Sequence, residues 1–277
     1  METRSVTWLP ALILALMQMP ASAIMVDGDL QDWIAAPVGH LSDWIPLRTS
    51  TFYTVEDQNT GYLDPGYGGQ AYDAEAMYLE IQDGTLYIAI VTGFYPDNTG
   101  YRPGDIAIDF GNDDTFEYGI IVAGDGFGLG NAGEVFQADA WHYGLWAAPN
   151  DLHNNGEGAE GNTLYRLAHP TAVRAGSKIG TAAVAYQEAR YIGGVPAKLG
   201  PHNGTHYVIE AAVSLSMFDP DLLGQKFTVH WTMGCANDWI EIDPVTVPEP
   251  PVLLLAGTGL ILLGWQRRQS NSRAHRS

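Results

Sequence analysis

Hydrophobic and polar positions alternate in short bursts along most of the chain. Tyr207, Ile209, Ala211, Val213 and Leu215 alternate with His206, Val208, Glu210, Ala212 and Ser214, a period of two that predicts a strand with one face toward a core. Phe227, Val229, Trp231 and Met233 alternate in the same way with Thr228, His230 and Thr232, which makes Trp231 a core residue. Glu75–Gln82 and Thr85–Thr92 are apolar-rich runs separated by Asp83-Gly84. That dipeptide tolerates the positive φ angles of a two-residue hairpin turn, so the two runs predict a hairpin. Asp105–Phe110, Glu117–Val122 and Ile179–Glu188 predict further strands. Between the two ends of the chain no segment carries a long 3.6-residue pattern. Short strands and Gly-rich turns predict an all-β fold, a two-sheet antiparallel β-sandwich of jelly-roll-like form.

The ends break the pattern. Met1–Arg4 carries one basic residue, an apolar run extends from Val6 to Met19, and Pro20 precedes Ala21-Ser22-Ala23. Basic start, apolar middle and small-x-small site predict a secretory signal peptide over residues 1–23, cut by signal peptidase after Ala23. At the other end Val247-Pro248-Glu249-Pro250-Pro251 leads into the apolar segment Val252–Trp265 and then Gln266-Arg267-Arg268. The prolines keep the tripeptide extended and open to a processing enzyme. The apolar segment is shorter than the ~20 residues of a comfortable spanning helix. Arg267 and Arg268 beyond it would hold that end in the cytoplasm, leaving the body outside. This order of Pro-Glu-Pro, short hydrophobic helix and basic tail resembles the PEP-CTERM sorting signal. The resemblance implies an exosortase that recognises Pro248, Glu249 and Pro250, removes the tail and passes the protein to the cell surface or exopolysaccharide. The alternatives are an uncleaved anchor helix at the start and an ordinary tail anchor at the end. The division is then a leader at 1–23, a β-sandwich at 24–245 and a sorting tail at 246–277.

Charge sharpens this division. The chain has 277 residues, 32 acidic and 13 basic, for a net charge of −19. Five of the basic residues, Arg4, Arg267, Arg268, Arg273 and Arg276, lie in the terminal segments. The body between Ile24 and Val247 holds 30 acids against 8 bases, or −22. Such a body repels phosphate, which excludes nucleic acid as a partner. Cys235 is the one cysteine, so neither an internal disulfide nor a Cys-clustered metal site is available. Its place beside a predicted strand predicts a buried, inert thiol.

Val26-Asp27-Gly28-Asp29-Leu30-Gln31-Asp32-Trp33 is similar to the opening strand of sugar-binding sandwiches of the family 9 carbohydrate-binding-module and DOMON type. The likeness continues through Tyr72-Asp73-Ala74-Glu75 and Leu86–Val91, and it implies a fold rather than a reaction. The run from His230 to Asp238 also resembles the last strand of many sandwich proteins with PEP-CTERM tails.

Three acidic clusters stand out: Asp27/Asp29/Asp32, Asp109/Asn112/Asp113/Asp114 and Asn237/Asp238/Glu241. Carboxylates and amide carbonyls in turns are hard oxygen ligands suited to Ca²⁺, although none has EF-hand spacing. A self-repelling body outside the cell would gain from bound cations. The expectation is a structural Ca²⁺ held by Asp27, Asp29, Asp73, Glu75 or Asp109, against the plainer reading of solvated Asx turns. Trp141-His142-Tyr143-Gly144-Leu145-Trp146 fits no clean alternation, so Trp141, Tyr143 and Trp146 are expected to be exposed as a glycan platform.

Catalytic signatures are poor. Gly128-x-Gly130-x-x-Gly133 has the spacing of a dinucleotide loop but lacks a strand-turn-helix context. His202 and His206 lack the glutamate of a zinc protease. The expectation is a non-enzymatic, exported surface or exopolysaccharide-associated protein that binds calcium or glycan. A secreted polysaccharide hydrolase and a purely structural matrix protein are the alternatives.

Overall fold

The computed structural model describes residues 23–34, 44–55, 69–97, 100–124, 129–143, 169–189, 191–192, 195–196, 206–236 and 238–246. The leader up to residue 22, the tail beyond Thr246, and His202 and Asn237 lie outside the described residues. Among the described residues no helix is long and apolar enough to cross a membrane.

In chain order the strands are β1 (Phe52–Val55), β2 (Ala74–Gln82), β3 (Thr85–Thr92), β4 (Ile106–Phe110), β5 (Tyr118–Ile120), β6 (Glu134–His142) and β7 (Ala172–Thr181). Then come β8 (Ala183–Glu188), the short β9 (Tyr191–Ile192) and β10 (Val195–Pro196), β11 (Tyr207–Ser214), β12 (Lys226–Thr232) and β13 (Trp239–Thr246). They form a five-stranded sheet in the order β1-β2-β3-β11-β8, a six-stranded sheet in the order β13-β12-β4-β5-β6-β7, and a β9-β10 ribbon. Every one of these pairings is antiparallel. The predicted all-β sandwich is the observed architecture.

The hairpin at Asp83-Gly84 is present. Both turn residues have positive φ, 49° and 76°, the primed geometry that matches strand twist, and Gln82 pairs with Thr85. Between the sheets, Met77, Leu79, Ile88, Ile90, Ile209 and Val213 of the first meet Ile106, Ile108, Phe227, Val229 and Trp231 of the second in one buried cluster. Cys235 belongs to the same cluster.

Three sequence readings are corrected. Ile179–Glu188 reads as one strand, yet it divides at Ala182: β7 is an edge of the six-stranded sheet and β8 an edge of the five-stranded one. Its alternation continues around a corner of the sandwich, where strands exchange sheets. The run from His230 to Asp238 is not the last strand. β12 ends at Thr232, a turn with Ala236 at φ 53° follows, and β13 begins at Trp239. The Val26–Trp33 segment is not an opening strand either. It lies as an irregular strap whose ladder contact is a single bridge, Ile34 to Pro46.

That strap explains part of a fourth difference, the part on β11. β11 and β12 were expected to bury one face, but Val208, Glu210, Thr228, His230 and Thr232 are buried as well. Ile24, Leu30, Trp33, Ile34 and Trp44 cover the outer face of the five-stranded sheet at Ala76, Tyr78, Ala89, Val91 and Val208. A smaller cluster of Ala107, Ile121, Phe136, Trp141 and Val173 occupies the outer face of the six-stranded sheet.

Candidate functional site

Covering both outer faces takes acidic side chains out of water. Asp73, Glu75, Glu80, Asp105, Asp109, Glu210 and Asp238 are all buried, so the surplus of acid is not simply a solvated surface. A buried carboxylate needs hydrogen-bond donors, and here many come from the backbone. Asp105 accepts from the amides of Val122 and Val173. Asp238 accepts from Ala74 and Trp239. Glu75 takes His206 Nε2 at 2.8 Å. Glu80 takes the hydroxyls of Ser50 and Thr51.

Glu210 takes three donors. Its Oε1 accepts from Trp33 Nε1 at 2.6 Å, and its Oε2 from the amides of Gly28 at 2.6 Å and Asp27 at 2.9 Å. The Asp-Gly and the Trp of the strap motif therefore converge on one carboxylate of β11. Burial lifts the Glu210 pKa to about 7; the three donors pull it down, and the charge of Asp32 adds to the rise.

The five acids expected to hold calcium fall in three separate places. Asp27 and Asp29 lie on the strap and, with Met25, Asp32, Leu47 and Arg48, line an open cleft of about 510 Å³. Burial raises the carboxyl pKa of Asp29 and Asp32. Asp73 and Glu75 stand at the start of β2. Asp109 sits near the end of β4, at the root of the loop to β5.

Among the described residues, only Asp109 of the five belongs to a group with convergent ligand atoms. One oxygen or more from each of Asp109, Asp113 and Glu117 lies within 4.8 Å of the others. The loop is folded around Asp109, whose carboxylate accepts the amides of Asn112, Asp113 and Asp114 at 3.1, 3.4 and 2.9 Å. Glu117 Oε2 accepts the amide of Phe110 at 2.8 Å, and Asn112 Oδ1 accepts the hydroxyl of Thr228. Burial raises the pKa of both Asp109 and Glu117, and the charge of Asp113 adds to the rise in each. Three oxygens can enter a calcium shell, which needs six to eight ligands in general, so waters or carbonyls would have to supply the rest. Glu117 was missed in the sequence because it lies eight residues from Asp109, on the far side of a loop that only folding closes.

The aromatic expectation is corrected in part. Trp141 is buried, its Nε1 donating to the Phe116 carbonyl at 2.9 Å and its ring edge-on to Phe116. It shares the outer face with Phe136, although an odd offset of five should put them on opposite faces. The β6–β7 register shifts between Val135 and Phe136, between Ala138 and Ala140, and between Ala140 and Trp141. These bulges change the phase of the alternation, which is why the segment looked like no clean strand. Tyr143 is half-buried and Trp146 lies outside the described residues. The Gly128-x-Gly130-x-x-Gly133 run leads into β6, a strand rather than the helix that a dinucleotide loop requires.

Residues 246–268 match the family described as the PEP-CTERM protein-sorting motif. No curated protein matches the chain. The motif implies processing by an exosortase, export, and membrane anchoring before sorting. It begins at Thr246, the last residue of β13, and β13 is an edge strand of the six-stranded sheet. The sandwich and the sorting motif are therefore contiguous in the chain.

Proposed function

We infer that this chain is an exosortase-sorted protein of the cell surface or exopolysaccharide matrix, whose acidic sandwich binds or builds rather than catalyses. The observation that carries the reading is the motif match at 246–268, contiguous with a folded β body. Replacing Pro248, Glu249 and Pro250 by alanine in a host with its exosortase should leave the full chain in the membrane fraction with its tail uncut. Normal processing of that variant, followed by immunoblot, would remove the motif from the sorting step.

The finer part of the reading is calcium at Asp109, Asp113 and Glu117. Its support is the convergence of their oxygens and the repulsion among them, which a divalent ion would relieve. Sites of extracellular modules bind calcium at about 10⁻⁴–10⁻³ M. At ten times Kd the folded state gains about 1.4 kcal/mol, so Tm should rise by about 3–6 °C for a domain of this size. Asp113→Asn should abolish that rise. A Tm equal in excess calcium and in EDTA would end the calcium reading. Because the carboxyl pKa values of Asp109 and Glu117 are raised, their contribution to stability is full at acid pH, and it is lost as pH climbs through the raised values.

A further inference from the structure

Trp141 is buried, whereas exposed aromatic rings gather at the end of the sandwich where β3 leaves the sheet. We propose that the ring series from Tyr101 to Tyr95 and Tyr207, flanked near Tyr207 by Asp97 and Glu188, forms a platform for successive pyranose rings of a neutral or amino-sugar glycan. This rests on the binding reading given above and names its ligand class and its place.

The aromatic rings there form a continuous series. Tyr101 meets Tyr72 at 6.1 Å between ring centroids and Tyr72 meets Phe94 at 5.6 Å. Phe94 meets Tyr95 at 6.2 Å, and Tyr95 meets Tyr207 at 6.5 Å. The base of the series is fixed. Phe94 is fully buried, and the hydroxyl of Tyr186 donates to its carbonyl at 2.6 Å. The upper rings are open: Tyr95 and Tyr101 are 39% and 41% exposed. Rigid, half-exposed tyrosines give a large contact area at little conformational cost. Their faces suit the C–H side of a sugar ring, and their hydroxyls can bond to its rim.

Charge selects among sugars. Glu188 stands directly opposite Tyr207 across the β8–β11 pair, Asp97 follows Tyr95 by two residues, and both carboxylates are exposed. Carboxylates accept hydrogen bonds from vicinal hydroxyls or pair with an amino-sugar ammonium. They repel uronate or sulfate groups, as does the body as a whole. Both also act on Tyr207, whose phenol pKa is raised by burial first and then by Glu188, Tyr95 and Asp97, which places the four groups close together.

The test uses the full chain and three probes: a β-glucan oligosaccharide, a chitosan oligomer and a polyuronate. Binding is read by titration calorimetry in EDTA, with release of reducing sugar followed in parallel. Expected are binding of the first or second probe, no binding of the third, and no reducing sugar released. Tyr95→Ala and Tyr101→Ala should each weaken binding by about tenfold at unchanged Tm. Tyr95→Phe should retain most of it, because the ring face is kept. If a probe binds and neither alanine variant weakens it, the platform is overturned while the binding reading stands. Preference for the polyuronate overturns the platform through its charge. If no probe binds, the platform falls together with glycan as the ligand class.

Discussion

Glu210→Ala should cost about 3–5 kcal/mol of unfolding free energy, because buried donors left without an acceptor each carry their own desolvation cost. Those donors are Trp33 Nε1 and the amides of Gly28 and Asp27. They belong to the strap, so the loss should appear first as release of the strap from the sheet. Trp33, fully buried in the native state, then reports with a red shift in fluorescence at low urea. The same carboxylate gives a pH dependence whose sign follows from its pKa of about 7 in the folded protein. The unfolded value is about 4.3, so between these limits the folded state holds a proton that the unfolded state has lost. The stability from Glu210 is complete below about pH 4 and is lost as pH rises through 7, a span of roughly 3–4 kcal/mol at ~1.4 kcal/mol per unit. Glu210→Gln removes the titrating group. The difference in stability between wild type and Glu210→Gln should therefore fall by that amount from pH 4.5 to pH 8. Parallel profiles would show that this carboxyl does not titrate in the window.

Gly104→Ala is expected to be comparably severe for a different reason. A Cβ at Gly104 would stand 1.8 Å from the carbonyl oxygen of Thr232 and 2.8 Å from that of Thr171. Both obstacles are backbone, so no side chain can rotate away. The Gly104 carbonyl also receives Trp231 Nε1 at 3.1 Å, and the next amide, Asp105, donates to Thr171 at 2.8 Å. Relief of the clash must separate the start of β4 from the ends of β12 and β7, disturbing the core at Trp231. A loss of about 3 kcal/mol or more follows, at the upper end of what overpacking costs. Gly84→Ala is the control: its φ is +76° but nothing lies within 4 Å, so backbone strain alone should cost about 1–2 kcal/mol. Urea midpoints order the two. Equal midpoints would contradict the close approach at Gly104.

The two positions show different limits of sequence reading. Glu210 was visible as a polar residue in an alternating strand, and alternation assigned it to water. What it could not indicate is that a segment about 180 residues earlier would return to cover that face. The Asp-Gly and Trp of the strap were visible too, and likeness to a family suggested a strand; their common acceptor exists only once β11 and the strap are adjacent. Gly104 carried no signal, because its requirement comes from two distant carbonyls rather than from its own φ angle. Trp141 was misread because register shifts in β6 reversed the phase of a pattern that otherwise holds. Asp109 was legible as an acidic turn, while Glu117 joins it only through the fold of the loop.

Local information therefore went a long way where the cause is local. Alternation determined the strands that form the core, Asp83-Gly84 determined the hairpin, and the Pro-Glu-Pro, apolar and basic order determined the sorting tail. Each depends on a few consecutive residues, since strand period, turn geometry and recognition of an extended tripeptide act at that range. Tertiary structure alone decided which face of each sheet meets water. It decided which of the many carboxylates are buried as acceptors, which gather as possible ion ligands, and which aromatic rings remain open. Those outcomes depend on the energy of burying charge and of filling space, and both are set by neighbours far away in the chain.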